Sequence, residues 1–207
     1  AEPGAHRERV VSSARIPLSV PGHRAPGVGF EAPFDMLRAC HERVQRSLAL
    51  LARLIEHLGR RGRDDQAVQA ARDVLRYFDV AAPHHHEDEE RHVFPVLLAG
   101  TDVDLQSTVR RLQQDHVEMA ARWAVAREVL QGLIDAPADG WTGLTADAHA
   151  ALTRFAELYD AHIQAEEERV YPVVEATTDE VAQQRMGVEM AARRTGVTPS
   201  RPASAGR

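Results

Sequence analysis

Residues 83–97 read PHHHEDEERHVFPVL, and residues 160–174 read DAHIQAEEERVYPVV. Superposing Pro95 on Pro172 aligns the two without a gap and lays His85 on His162 and Glu89 on Glu166. Self-similarity of this length marks two copies of one supersecondary unit. In each copy the histidine and the glutamate stand four residues apart, which on a helix places them one turn apart on one face. Around them the apolar residues recur at alternating steps of three and four, the period of a helix with one buried face. One stripe runs Val68, Ala71, Leu75, Phe78, Ala82, His85, Glu89, His92, Val96. The other runs Leu152, Phe155, Tyr159, His162, Glu166, Arg169, Val173. His85 and Glu89 are thereby picked out of the crowded HHHEDEE run as the inward pair, and His84 and His86 are expected to point elsewhere.

Each of these helices is preceded by another with a single histidine in its apolar seam, about 45 residues upstream of the next HxxxE. The first reads Phe34, Leu37, His41, Val44, Leu48, Leu51, Ile55, Leu58, and the third reads Val109, Leu112, His116, Met119, Trp123, Ala126, Leu130, Leu133. Breaks are expected at residues 59–62, 100–102 and 135–143, where Gly, Pro and Asp supply caps and turns. Breaks this short join antiparallel neighbours. The expected fold class is all-α: an antiparallel up-down-up-down four-helix bundle over residues 34–176. Before it, residues 1–33 carry five prolines and read as an extended arm. After it, residues 177–207 read as a short extra helix to about Arg193 and a disordered tail. Pro83 is expected to kink or restart the second helix, and Pro95 and Pro172 to bend or end theirs.

Six polar side chains thus converge in one apolar interior: His41, His85, Glu89, His116, His162 and Glu166. A lone histidine in such a stripe is ordinarily a packed core residue, but four at matching depth beside two carboxylates are not. An ionised group buried without compensation costs on the order of several kcal/mol. Metal ions remove that cost directly, with imidazole nitrogens and carboxylate oxygens as ligands and the carboxylates free to bridge a pair. A nitrogen and oxygen donor set without thiolate favours iron, manganese or zinc over copper(I) or an iron–sulfur cluster.

The chain of 207 residues is 43 % hydrophobic, enough for one main core. Its formal charge of -6 gives no electrostatic reason to expect nucleic acid or an acidic membrane as partner. The single cysteine, Cys40, excludes an internal disulfide framework and fits a reducing compartment, so a cytoplasmic location is expected. The opening AEPGAHRERV has neither an initiator methionine nor an apolar signal core, which leaves processing upstream open.

On these residues the chain resembles the hemerythrin-like, HHE cation-binding family, with one histidine on each odd helix and HxxxE on each even helix. The resemblance covers about Phe34 to Val174. It implies His41, His85, Glu89, His116, His162 and Glu166 as metal ligands, with Glu89 and Glu166 bridging. It further implies a non-haem di-iron centre, two iron ions with room for a bridging oxo or hydroxo group, zinc and manganese being the lesser alternatives.

Two positions depart from the oxygen-carrying members. Ala120 stands where they place a second histidine, four residues after the one on the third helix. Glu166 and Glu167 stand four and five residues after His162, where they use aspartate at five. A different coordination shell follows, with an open position that water, peroxide, nitric oxide or the nearby Tyr159 would fill. Glu90 and Glu167 are candidate partners for histidine N–H groups, and His92 and Arg169 share the metal-side stripe one turn beyond the carboxylates. The expected function is to bind or react with a small oxidant or ligand (oxygen, peroxide or nitric oxide) in sensing or detoxification. The competing expectation is a metal-binding or iron-responsive regulatory module without turnover.

Overall fold

The computed structural model describes residues 29–137 and 140–195, and these form an all-helical bundle. Most of the expected arm and nearly all of the tail lie outside the described residues. Helix α1 spans Pro33–Arg61, with proline in its first turn, where a missing N–H costs nothing. It stops at Gly62, whose φ of 74° is open to glycine and whose N–H bonds Leu58 O. Helix α2 begins at Asp65–Arg76 behind Asp64, which accepts the Ala67 N–H. It continues without interruption through Tyr77–Ala81, Ala82–Asp88, Glu89–Val93 and Phe94–Leu98. Helix α3 spans Val103–Asp135, capped by Asp102 on the N–H groups of Asp104 and Leu105. Helix α4 starts at Ala146–Ala156 under a Thr145 cap and runs on through Tyr159–Ala165, Glu166–Val170 and Tyr171–Thr177. Helix α5 is Glu180–Thr195.

Three segments, Tyr77–Ala81, Glu89–Val93 and Glu166–Val170, are single π-turns. Their i→i+5 bonds run from Ala82 N–H to Tyr77 O, Phe94 N–H to Glu89 O, and Tyr171 N–H to Glu166 O. Each closing donor is the residue immediately before a proline: Pro83, Pro95 or Pro172. The cause is steric. A proline ring collides with the carbonyl four residues back and offers it no N–H, and widening the preceding turn relieves both problems without ending the helix. The prolines therefore neither restart nor terminate α2 and α4.

The extra residue in the wide turns that begin at Glu89 and Glu166 shifts the buried stripe by one. Past Glu89 the inward residues are Val93, Phe94 and Leu97, while Val96 is 39 % exposed. Past Glu166 they are Val170, Tyr171 and Val174, while Val173 is 37 % exposed. The expected continuations through His92 and Val96, and through Arg169 and Val173, are corrected accordingly. Arg169 faces solvent, and His92 accepts a hydrogen bond from Arg193 of α5 at 2.8 Å.

The apolar interior falls into two clusters. One holds Val44, Leu51, Leu54, Val74, Phe78, Ala82, Met119, Leu130, Phe155 and Tyr159. The other holds Phe34, Leu37, Val93, Phe94, Leu112, Val170, Tyr171 and Val174 with Met186 and Met190 of α5. On every one of α1 to α4 the junction between the clusters is where a polar residue is buried: His41, His85 with Glu89, His116, and His162 with Glu166.

Helix α5 is packed tightly onto this end. A Cβ at Gly187 would collide with the Phe30 carbonyl oxygen, so only glycine fits there. Arg193 and Arg194 both close on the fully buried Asp88, at 2.8 and 2.7 Å. Among the described residues no helix is long and apolar enough to cross a membrane.

Candidate metal centre

The four junctions meet in the middle of the bundle. Two sets of potential ligand atoms gather there, each within 4.8 Å: His41, His85, Glu89 and Glu166 in the first position, and Glu89, His116, His162 and Glu166 in the second. All six residues singled out by the sequence are brought together, all are buried, and the two glutamates belong to both sets.

What stands behind the imidazoles fixes which nitrogen faces inward. His41 Nδ1 lies 2.9 Å from Glu167, His116 Nδ1 lies 3.0 Å from Glu90, and His162 Nδ1 lies 3.3 Å from Asp115. A carboxylate only accepts, so each of these Nδ1 atoms carries the hydrogen, and in the neutral ring Nε2 is a bare lone pair. Those lone pairs point at one another and at oxygens. His116 Nε2 is 3.1 Å from His162 Nε2. His41 Nε2 and His162 Nε2 are each 3.1 Å from an oxygen of Glu166. Among the described residues, Glu89 Oε2 and both oxygens of Glu166 find no hydrogen-bond donor. Acceptors facing acceptors in a dry interior repel unless a cation lies between them. The donor set therefore fits metal ions by its own chemistry.

The titration behaviour agrees. Burial, with the neighbouring His41 and His86, keeps His85 well below its ordinary value, and burial with His86 and His162 pulls His116 down to about 2. Both are thus neutral, as ligands must be. Burial and the charge of Glu166 push Glu89 well up. Glu166 is also pushed up by burial, but His162 and His41 outweigh that and hold it low. His162 goes the other way from its fellows: burial lowers it, yet Glu166 and Asp115 together raise it.

The remaining sequence candidates fall in different places. Glu90 and Glu167 stand behind His116 and His41, as described. Tyr159 packs among Phe78 and Phe155, with ring centroids 5.7 and 5.4 Å away, in the aromatic layer above the centre. The phenol that reaches the centre is Tyr171, which donates to Glu89 Oε1 and lies 3.2 Å from His41 Nε2. The π-turn explains the exchange: i→i+5 closure turns the fifth residue after Glu166 back toward the face Glu166 occupies. His84 belongs to neither set, but His86, expected to point away, lies flat on His116 with centroids 4.1 Å apart and planes at 14°. It sits one residue round α2 from His85, on the side facing α3, and burial pulls it down to about 4. Asp115 went unnoticed in the sequence. It lies off the apolar stripe, and its only signal was its place directly before His116.

The family described as hemerythrin HHE cation binding domain matches residues 32–174. This chain belongs to that family. The matched span runs from the start of α1 to the buried Val174 of α4 and contains all six converging residues. A Haemophilus influenzae protein named only as uncharacterized is 31 % identical over 162 residues, which cover 78 % of this chain and 90 % of the relative. As an HHE domain, the bundle binds metal cations, and the buried histidine and glutamate cluster is the place in it that fits them.

Proposed function

We propose that this HHE protein is a non-haem di-iron protein that binds or reacts with a small oxidant or ligand (oxygen, peroxide or nitric oxide) in sensing or detoxification. The observation that carries it is the convergence of bare imidazole and carboxylate lone pairs on two positions that share Glu89 and Glu166. We read the bundle as antiparallel and up-down-up-down, because α1 and α3 enter from the second apolar cluster and α2 and α4 from the first. In this reading His41, His85, His116 and His162 are terminal nitrogen ligands, and the glutamates bridge. Iron held there would supply redox and ligand-binding chemistry. The protein's own part is to exclude water and to hold the Nε2 atoms of His116, His41 and His162 toward the ion through Glu90, Glu167 and Asp115. The buried lone thiol of Cys40 supports a reducing, cytoplasmic setting.

Metal analysis of protein isolated without added metal, followed by visible spectra on addition of peroxide or nitric oxide, tests this reading. Two irons per chain and a spectral response support it; an iron-loaded centre that ignores every such ligand ends the reactive-site reading. A second reading, an iron-responsive module without turnover, draws on Asp88. This residue directly precedes Glu89 and anchors Arg193 and Arg194 of α5, so it links the centre to a peripheral helix. Metal-dependent protection of α5 from proteolysis, without any ligand response, favours that alternative.

A further inference from the structure

The repeat pairs the two positions residue for residue, and one pair differs in a way that bears on the coordination shell. Phe94 follows Glu89 by five residues, and Tyr171 follows Glu166 by five. Both rings are turned inward by the π-turns, and both are fully buried. Phe94 stacks on His116 at 5.5 Å, and Tyr171 stacks on His41 at 5.4 Å. Only Tyr171 brings an oxygen. That oxygen lies 3.2 Å from His41 Nε2 and hydrogen-bonds Glu89 Oε1, two atoms of the first ligand set. Adjacent ligand atoms on one ion with bonds of roughly 2.0–2.2 Å stand about 3 Å apart. The phenol is therefore at ligand-to-ligand spacing from His41 rather than behind it, unlike the Glu167 carboxylate on the far side of the same ring.

We propose that Tyr171 is a metal ligand, its phenolic oxygen completing the shell of the ion held by His41, His85 and the two glutamates. The first position is then oxygen-rich, while the second, faced by Phe94, has no counterpart. The inference rests on the di-iron reading above. On coordination a metal–oxygen bond forms, the O–H bond breaks, and the proton leaves to solvent; no electron is transferred.

Ferric iron loading of the full chain tests it, because a phenolate on Fe(III) gives a visible charge-transfer band that imidazole and carboxylate do not. We expect that band, with tyrosine ring modes in the resonance Raman spectrum excited within it. Tyr171→Phe removes both at equal iron content, while Tyr77→Phe and Tyr159→Phe, which replace the other two tyrosines, leave them in place. Should Tyr171→Phe lose iron or fail to fold, ring-deuterated tyrosine in the unsubstituted chain shifts the same modes and serves instead. Iron bound without tyrosine ring modes, tyrosine modes that survive Tyr171→Phe, or modes unmoved by deuteration overturns the ligand assignment alone. A chain that takes up no iron overturns the di-iron reading and this inference with it.

Discussion

At the second position both imidazoles lean on a carboxylate, His116 on Glu90 and His162 on Asp115, whereas at the first only His41 does, on Glu167. The Nδ1 of His85 is buried with no partner among the described residues. The difference traces to one pair of residues: Asp115 precedes His116, and Cys40 precedes His41. A carboxylate behind an imidazole fixes its tautomer and raises its basicity as a ligand. The repeat has thus kept the inward atoms alike and let their surroundings diverge. Phe94 against Tyr171, Asp88 against Ala165 and His86 against Ile163 extend the same pattern.

Breaking what the two positions share has the largest consequence. Glu89→Ala strips a side chain common to both sets and is expected to remove most bound metal by elemental analysis. His162→Ala, which takes a potential ligand from the second position, should lower it sharply, and His84→Ala should leave the count unchanged. Equal loss from all three means the inward face of α2 has been misassigned.

Asp88 comes next, since its counterpart Ala165 shows that alanine is accommodated at this place in the repeat. Asp88→Ala leaves Arg193 and Arg194 without their buried anion and is expected to cost about 3–5 kcal/mol in denaturant unfolding. An unchanged midpoint would mean that α5 is not held by this pair.

The supports behind the imidazoles sharpen the comparison. Glu90→Gln and Glu167→Gln are each expected to weaken metal binding roughly 10–100-fold in chelator competition, one at each position. Asp115→Asn should fall at the low end of that range, its contact being the longest of the three at 3.3 Å. Cys40→Ala should scarcely matter, and a larger loss from it than from Asp115→Asn would reverse the ranking of the two positions.

The smallest effect concerns His86 in the metal-free protein. Burial keeps its folded pKa at about 4, below the unfolded value of roughly 6.5. Between those values the unfolded chain takes up a proton that the folded one refuses, so this contribution to stability is full above pH 6.5 and declines as pH falls toward 4. His86→Phe, which keeps a ring against His116, should flatten that part of the curve of unfolding midpoint against pH. An unaltered slope would show that His86 does not carry it.

The six inward residues were legible because the three-four stripe stays buried as far as Glu89 and Glu166, through Phe78, Ala82 and His85 on α2 and through Phe155, Tyr159 and His162 on α4. Beyond them a strict three-four period fails, which is why His92 and Arg169 looked nearer the centre than they are and Tyr171 was missed. A signal was present. A proline inside an unbroken apolar pattern, at Phe94-Pro95 and Tyr171-Pro172, is a place where the turn before it widens. His86 and Asp115 were illegible for another reason. Each adjoins one of the six converging residues, off the apolar face, and only the packing of α2 and α4 against α3 decides that such a residue turns back toward the centre.

The wide turns also govern how relatives should be compared with this chain. A homologue whose helix lacks the wide turn after either glutamate has one residue fewer to place before its core resumes. Its alignment needs a single gap between the glutamate and the position of Pro95 or Pro172. Scored without that gap, its interior would be matched to Val96 and Val173 on the surface, and a conserved framework would read as divergence.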